Sequence, residues 1–329
     1  MDVLSDVLRM IRLEGALFLH GQFRHPWCLQ TPNGAQLAGL LLGSPQHLAI
    51  CHYVLQGQCW VLLGNGESEL LREGDVVVFP HGDAHRLASQ RELAPVDFGQ
   101  VVRPPLAELN VVSYGGAGDS SQLVCGWFAF EREIPNPLIT TLPNRFSASL
   151  RQRPSGPWIE QSIRHALQTC SQSSPGAKAM TAKVAEALFM EALRGYIETL
   201  PAAQTGWLAG LRDPQVSRCL ALLHAEPARA WTVDALAQAV HLSRSVLAER
   251  FSALVQMPPM QYLTRWRLAM AARLLSAEQG QVARVASLVG YESEAAFNRA
   301  FKRAYGVAPG QWRRDGVPVP APGTDISGG

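Results

Sequence analysis

The sequence predicts an α+β multidomain protein: an N-terminal β-barrel or jelly roll, a helical connector, and a C-terminal all-α domain with two helix–turn–helix motifs. Three observations carry that expectation. Short apolar runs alternate with Gly, Pro, Asn and Asp clusters over residues 1 to about 150, the rhythm of an all-β domain. Helical periodicity replaces that alternation from Trp158 onward. One amphipathic helix–corner–helix pattern then occurs twice, roughly fifty residues apart.

At 329 residues the chain exceeds what one core organises, and 47% hydrophobic residues suffice for two or three. Asp2, Asp6, Arg9, Arg12 and Glu14 interrupt any signal-peptide core. No later apolar run approaches about 20 residues, so a soluble cytoplasmic protein with no membrane partner is expected. The six cysteines form no C-x-x-C pair, which indicates neither a disulfide scaffold nor a zinc ribbon. The net charge of +2 conceals an asymmetry: residues 208–315 hold 14 Lys/Arg against 8 Asp/Glu, leaving 15 against 19 elsewhere. Only the C-terminal third has the sign that attracts phosphate.

In the N-terminal domain, Leu37–Leu42, His47–Leu55, Cys59–Leu63 and Val76–Phe79 read as strands between turn clusters at residues 32–34, 64–66 and 80–83. Gly74-Asp75 turns into the last of these strands, Pro80 to Gly82 end it, and His85 begins the next, pointing inward. His52 and His85, with Cys51 or His81 nearby, offer nitrogen and sulfur ligands for a divalent metal. No cofactor is otherwise required. The competing expectation is a pair of buried, hydrogen-bonded histidines. Cys28, Cys51, Cys59 and Cys125 share this domain, and thiols that were exposed and of low pKa would respond to oxidants. Buried, inert cysteines are the alternative.

Trp158–Cys170 and Lys178–Leu200 read as helices that pack on the barrel or pair with a second copy to make a homodimer. Periodicity stops at Pro201–Gly206, which places a hinge there. The expected divisions are a sensor-like domain over 1–155, a connector over 156–207, a helical domain over 208–315 and a disordered tail over 316–329.

In the first helical corner, Val233, Leu236, Ala237 and Val240 make one apolar face and Leu242 plugs the corner. Val246, Leu247 and Phe251 supply a second face, and Ser243 is placed to cap its helix. The spacing recurs in Ala286, Gly290, Ser293, Phe297 and Phe301, with Glu292 as an extra corner residue. Between the copies, Pro259–Ala277 reads as a rigid helix with Leu263, Trp266, Met270 and Leu274 inward. Two such corners at this separation are a DNA-reading arrangement.

Two resemblances follow from these residues. The Gly74…Pro80-His81-Gly82…His85 spacing resembles the second motif of the cupin superfamily. The first motif is incomplete, because Val54 stands where its second His would be and Gln56 to Gln58 fall around its Glu. Residues 208–315 resemble the DNA-binding domain of the AraC/XylS family of bacterial regulators, most specifically in the run from Gly290 to Lys302 followed by Gly306, Pro309 and Trp312. His241 departs from the glycine usual at the first corner, and a non-Gly residue with positive φ is uncommon.

The second resemblance implies a regulator that is not an enzyme, with double-stranded DNA, RNA polymerase and an unidentified small-molecule effector as partners. Its sensor domain would respond to a small molecule, a metal or an oxidant. Arg244, Ser245, Ala248 and Glu249 on the first reader helix, and Glu294, Ala295, Asn298 and Arg299 on the second, take the base-facing positions. Arg250, Lys302, Arg303 and Arg313 suit phosphates. The alternative is a metal-dependent cupin enzyme fused to a helical domain, for which Val54 leaves the ligand set short. A protein-interaction module explains the helices at 158–200 but not the repeat.

Overall fold

The computed structural model describes residues 3–11, 14–42, 48–102, 109–129, 137–172, 174–201, 203–277 and 281–315. The tail expected to be disordered, 316–329, lies outside them. The chain divides into two compact units, one of residues 13–130 and 142–200, the other of residues 1–12, 131–141 and 201–329. No described helix is long and apolar enough to cross a membrane.

The elements begin with helix α1 (Val3–Ile11), which belongs to the second unit, followed by strands β1 (Glu14–Arg24) and β2 (Cys28–Thr31). Next comes helix α2 (Gly34–Leu42), where the sequence pattern predicts a strand. The Leu- and Ala-rich run lacks β-branched residues, and a reciprocal cap starts it. The Gln36 N–H donates to Asn33 Oδ1 at 2.9 Å and the Asn33 N–H to Gln36 Oε1 at 3.2 Å.

Then follow β3 (Leu48–Gln56), β4 (Gln58–Leu62), β5 (Ser68–Arg72), β6 (Asp75–Phe79), β7 (His85–Ala88), β8 (Val96–Asp97), α3 (Phe98–Val101), β9 (Asn110–Gly115) and β10 (Ser120–Ala129). After α4 (Pro137–Thr141), which belongs to the second unit, β11 (Phe146–Ser149), α5 (Gly156–Ser171) and α6 (Ala177–Thr199) complete the first.

The strands form a six-stranded sheet in the order β11-β6-β3-β10-β1-β9 and a five-stranded sheet in the order β5-β4-β7-β2-β8. Ile50, Val54, Cys59, Val61, Val77, Phe79 and Leu87 are among the buried residues of one core cluster supplied by both sheets. Strand β3 is buried at eight of its nine positions, because α6 covers the outer face of the six-stranded sheet. Phe189 of α6 meets Phe128 of β10 with ring centroids 4.9 Å apart, and Tyr196 meets Phe146 of β11 at the same distance. A strand covered on both sides reads as a continuous apolar run. The two helices expected as a separate connector are therefore part of this unit.

The second unit continues with α7 (Trp207–Arg212), α8 (Pro214–Ala225), α9 (Val233–Ala239), α10 (Arg244–Val255), α11 (Pro259–Ala277), α12 (Val282–Leu288), α13 (Glu294–Tyr305) and α14 (Pro309–Asp315). α1 packs against α8, and α4 against α7. The polar centre of its first half is Tyr262, whose hydroxyl accepts from Trp207 Nε1 at 2.9 Å and donates to His224 Nε2 at 2.7 Å. In its second half, Trp312 Nε1 donates to the Ala272 carbonyl at 3.2 Å and ties α14 to α11.

Candidate nucleic-acid interface and sensor cavity

The two corners are built alike. α9 and α10 join through residues 240–243, and α12 and α13 through residues 289–293. Each reader helix starts at a serine in extended conformation whose hydroxyl accepts from the third residue on, Ser243 from the Val246 N–H at 3.3 Å and Ser293 from the Ala296 N–H at 3.2 Å. Each leading helix ends with the same six-residue hydrogen bond, Leu242 N–H to Ala237 carbonyl and Tyr291 N–H to Ala286 carbonyl, both 2.9 Å. That closure needs one residue in the left-handed region. Gly290 supplies it at φ +84°, and His241 supplies it at φ +58°. The histidine thus adopts the glycine conformation at a local cost and leaves the corner unchanged.

The cores correspond as the repeat predicts. Leu236, Ala237, Val240, Leu247 and Phe251 are buried in the first motif, as are Val285, Ala286, Val289, Phe297 and Phe301 in the second. Val246 does not join its core; it is 45% exposed. The apolar period that assigns it to the buried face is thus corrected at this position. Val246 sits beside Ser245 on the exposed side of α10.

Arg244, Ser245 and Glu249 are exposed and Ala248 half-buried on α10, while Glu294, Ala295 and Arg299 are exposed and Asn298 half-buried on α13. Arg244 Nη1 reaches Asp234 Oδ2 at 3.3 Å, an open pair between α10 and α9. Glu294 occupies the first turn of α13, where a carboxylate favours the helix dipole. Lys302, Arg303 and Arg313 are also exposed. Arg250 differs from these three. Its Nε lies 2.7 Å and its Nη2 2.5 Å from Asp213 Oδ2. Asp213 also caps α8 through the Gln215 and Val216 N–H groups. Arg250 thereby braces α10 against α8, a pairing between residues 37 apart in sequence that no local pattern discloses.

In the first unit the proposed metal ligands are not brought together. His52 and His85 meet, but Cys51 lies on the opposite face of β3 from His52, beside Gly126, and His81 Nε2 donates to the Leu142 carbonyl at 3.0 Å. Cys125 is the third member instead. Hydrogen-bond accounting fixes its protons. His85 Nδ1 lies 2.8 Å from the Asp83 carbonyl, so it donates there and its Nε2 accepts. His52 Nε2, 2.7 Å away, donates to that acceptor, which leaves His52 Nδ1 to accept from the Cys125 thiol at 2.9 Å. His85 also stacks on Phe79 at 3.7 Å between centroids. Burial holds His52 well below its ordinary pKa and takes His85 to about 4, so both rings are neutral at pH 7. No group of three or more His, Cys, Asp or Glu among the described residues is arranged to hold a metal.

The four candidate redox cysteines are all buried. Burial pushes Cys28 up and Cys125 well up, and takes Cys51 and Cys59 to about 12. These are protonated thiols in apolar surroundings, the opposite of the low-pKa thiolates that oxidants select.

The same unit carries a cavity of about 460 Å3 between β1, the end of α2, β10 and the start of α6. Leu17, Phe18, Leu41 and Trp127 make apolar walls, and Lys178 and Thr181 of α6 bring polar groups to its lining.

Comparison with known proteins accounts for both units. A cupin family model matches residues 2–198 and a helix–turn–helix domain model matches residues 236–315. A putative AraC-like transcription regulator of Streptomyces antibioticus is 34% identical over 323 residues, which are 97% of this chain and 100% of that protein. The HTH-type transcriptional regulator AlkR of Acinetobacter baylyi is 28% identical across 95% of this chain and 99% of its own length. The RCS-specific HTH-type transcriptional activator RclR of Escherichia coli is 27% identical across 95% and 97%. Among solved structures, the DNA-binding domain of AdpA in complex with a target DNA is 29% identical, with a TM-score of 0.30, covering 31% of this chain and 92% of that one. With two helix–turn–helix corners behind a cupin domain, and relatives that are regulators over nearly their whole length, the chain belongs to the AraC-like family of DNA-binding transcription regulators.

Proposed function

We propose that this regulator reads DNA bases with α10 and α13 and that its cupin unit takes a compact apolar effector in the cavity described above. The observation that carries the DNA assignment is the pair of serine-capped helices exposing polar side chains from equivalent positions. Arg299 suits guanine O6 and N7, Asn298 suits adenine, and the exposed Val246 suits a thymine methyl. Lys302 and Arg303, in the last turn of α13, suit phosphates. RNA polymerase and a second copy of the chain complete the regulatory assembly. On DNA selected by the protein from a random library, Arg299→Ala should lose about tenfold or more in preference for the selected site over random DNA. Lys302→Ala should weaken both alike and lower the salt slope by about one. Unchanged discrimination in Arg299→Ala, measured by gel shift, would remove α13 as a reader.

The cavity volume lies in the range of small-ligand sites, and its apolar walls favour a largely apolar molecule. Anilinonaphthalene sulfonate, with its fused and pendant aromatic rings, is a suitable probe. It should bind saturably, quench Trp127, and bind about tenfold more weakly to Leu41→Trp, which fills the cavity. Binding indifferent to Leu41→Trp would place the effector elsewhere.

A further inference from the structure

We infer that the turn Pro227–Arg229, between α8 and α9, is the joint that sets the register of the two reader helices, with Arg267 as the positioning residue that locks it. The inference rests on the DNA-binding assignment and adds to it a device that fixes how far apart, and at what angle, the two corners are read.

The two corners hang from one helix. The first part of α11 buries Tyr262, Leu263 and Trp266 and holds the first motif, where Tyr262 meets Phe251 of α10 edge-on with ring centroids 5.9 Å apart. Its second part buries Leu268, Ala272 and Leu275 in a core with Phe297, Phe301 and Trp312 of the second motif. Attachment to a single axis leaves the angle between the motifs to side-chain packing alone.

The turn supplies a second attachment. Arg267 Nε donates to the Pro227 carbonyl at 2.7 Å and Nη2 to the Arg229 carbonyl at 2.8 Å. One planar fork thus spans two carbonyls of the turn, which an ammonium on a flexible stem does not reproduce. The guanidinium is half-buried, and these hydrogen bonds go to backbone carbonyls rather than to a carboxylate. On the other side the corner of the second motif touches the same turn. A Cβ on Gly290 would lie 2.6 Å from Ala228 Cα and 2.7 Å from its carbonyl oxygen. The turn is itself stiffened from the first motif: Trp231 Nε1 donates to the Glu226 carbonyl at 3.0 Å and Arg229 lies 3.9 Å over the Trp231 ring.

The chain leaves this turn into α9 and leaves Gly290 into α13, so the joint ties the lead of one corner to the bend of the other. Readers in successive major-groove segments must keep one phase, because each base pair turns the duplex by roughly a tenth of a revolution. Loosening the joint should therefore relax the spacing the protein demands while leaving each corner folded.

The test uses the full chain and a duplex site it selects from a random library, remade with one or two base pairs inserted between the half-sites. The unaltered protein should lose about tenfold or more on insertion, the cost of misplacing a set of base contacts. Arg267→Gln and Arg267→Lys should bind the selected site about tenfold more weakly and show less than about a threefold penalty for insertion. Their non-specific binding should keep the same salt slope, because Arg267 contacts carbonyls and no phosphate. Ala228→Gly, in an exposed position and harmless to either core, should flatten the spacing profile in the same direction. A spacing penalty as steep as the unaltered protein's in all three variants overturns the inference. A salt slope reduced by about one makes Arg267 a phosphate ligand instead and overturns it equally. Loss of all sequence preference by the unaltered protein would count against the DNA assignment itself, a separate outcome.

Discussion

Replacing Gly290 with alanine should destabilise the DNA-binding unit by roughly 2–5 kcal/mol, the sum of a left-handed backbone and an overpacked contact. The backbone term follows from φ +84° at this position, which costs an L-residue about 1–2 kcal/mol. The packing term follows from the 2.6 Å approach that a Cβ would make to Ala228 Cα. Backbone atoms cannot rotate aside, so the corner or the turn must shift, at about 1–3 kcal/mol. Gly306 is the internal control. It ends α13 at φ +77°, and a Cβ placed there would meet nothing within 4 Å, so Gly306→Ala should show the backbone term alone. Hydrogen exchange of α11 to α14 in graded urea measures both. Equal losses in the two variants would mean that the turn yields without cost. A larger loss at Gly290, accompanied by failure to bind DNA, is the expected result.

Acid should unfold both units, and by the same cause. His52 and His85 in the cupin unit and His224 in the DNA-binding unit are neutral and buried, with pKa held well below the ordinary value at His52, at about 4 at His85 and at about 3 at His224. In each case burial is the main cause. A histidine whose folded pKa lies below its unfolded value leaves the unfolded chain holding more protons. Its contribution is therefore complete above pH 6.5 and is lost as the pH falls towards the folded pKa. The slope approaches about 1.4 kcal/mol per pH unit below pH 6.5, or roughly 2 kcal/mol by pH 5 for each of His85 and His224. Hydrogen exchange at pH 7.5, 6 and 5 resolves the two units in one experiment. His224→Phe, which keeps a ring against Trp266, should flatten the pH dependence of α7, α8 and α11 while leaving the cupin strands as acid-sensitive as before. A pH profile of the DNA-binding unit unchanged by that substitution would assign its acid sensitivity to other groups.

Much of the architecture is written in local patterns. Apolar runs between turn clusters place β3, β4, β6 and the start of β7 in the cupin unit, and a serine followed by an apolar stripe places each reader helix. Three features escape such patterns for distinct reasons. α2 reads as a strand when its leucines are counted, but the Asn33 and Gln36 pair that starts it decides for a helix. Val246 falls on an apolar period, yet α10 buries Leu247, Phe251 and Val255 instead and leaves Val246 to solvent. The polar chain through His52 joins residues from three strands, so Cys125 replaces Cys51 only because antiparallel pairing sets Cys125 opposite His52. Successive side chains of β3 point to opposite faces once it is a strand, although its unbroken apolar run does not say which face is which. The identity of the partner across the ladder is not legible either. The Arg250–Asp213 and Arg267–turn contacts are invisible for the same reason, since each depends on where a distant helix comes to rest.

The membership of α1 and α4 in the DNA-binding unit bears on how the protein can be cut. Val3, Leu4, Val7 and Leu8 of α1 are buried, and that helix rests on α8, although nearly the whole cupin sequence separates them in the chain. The backbone passes from one unit to the other at residues 12–13, 130–131, 141–142 and 200–201, so neither unit is a contiguous stretch. A fragment beginning at Pro201 would keep both corners and the joint between them but would expose the apolar patch of α8 that α1 covers. Its solubility would then report the missing helix rather than the strength of its own core.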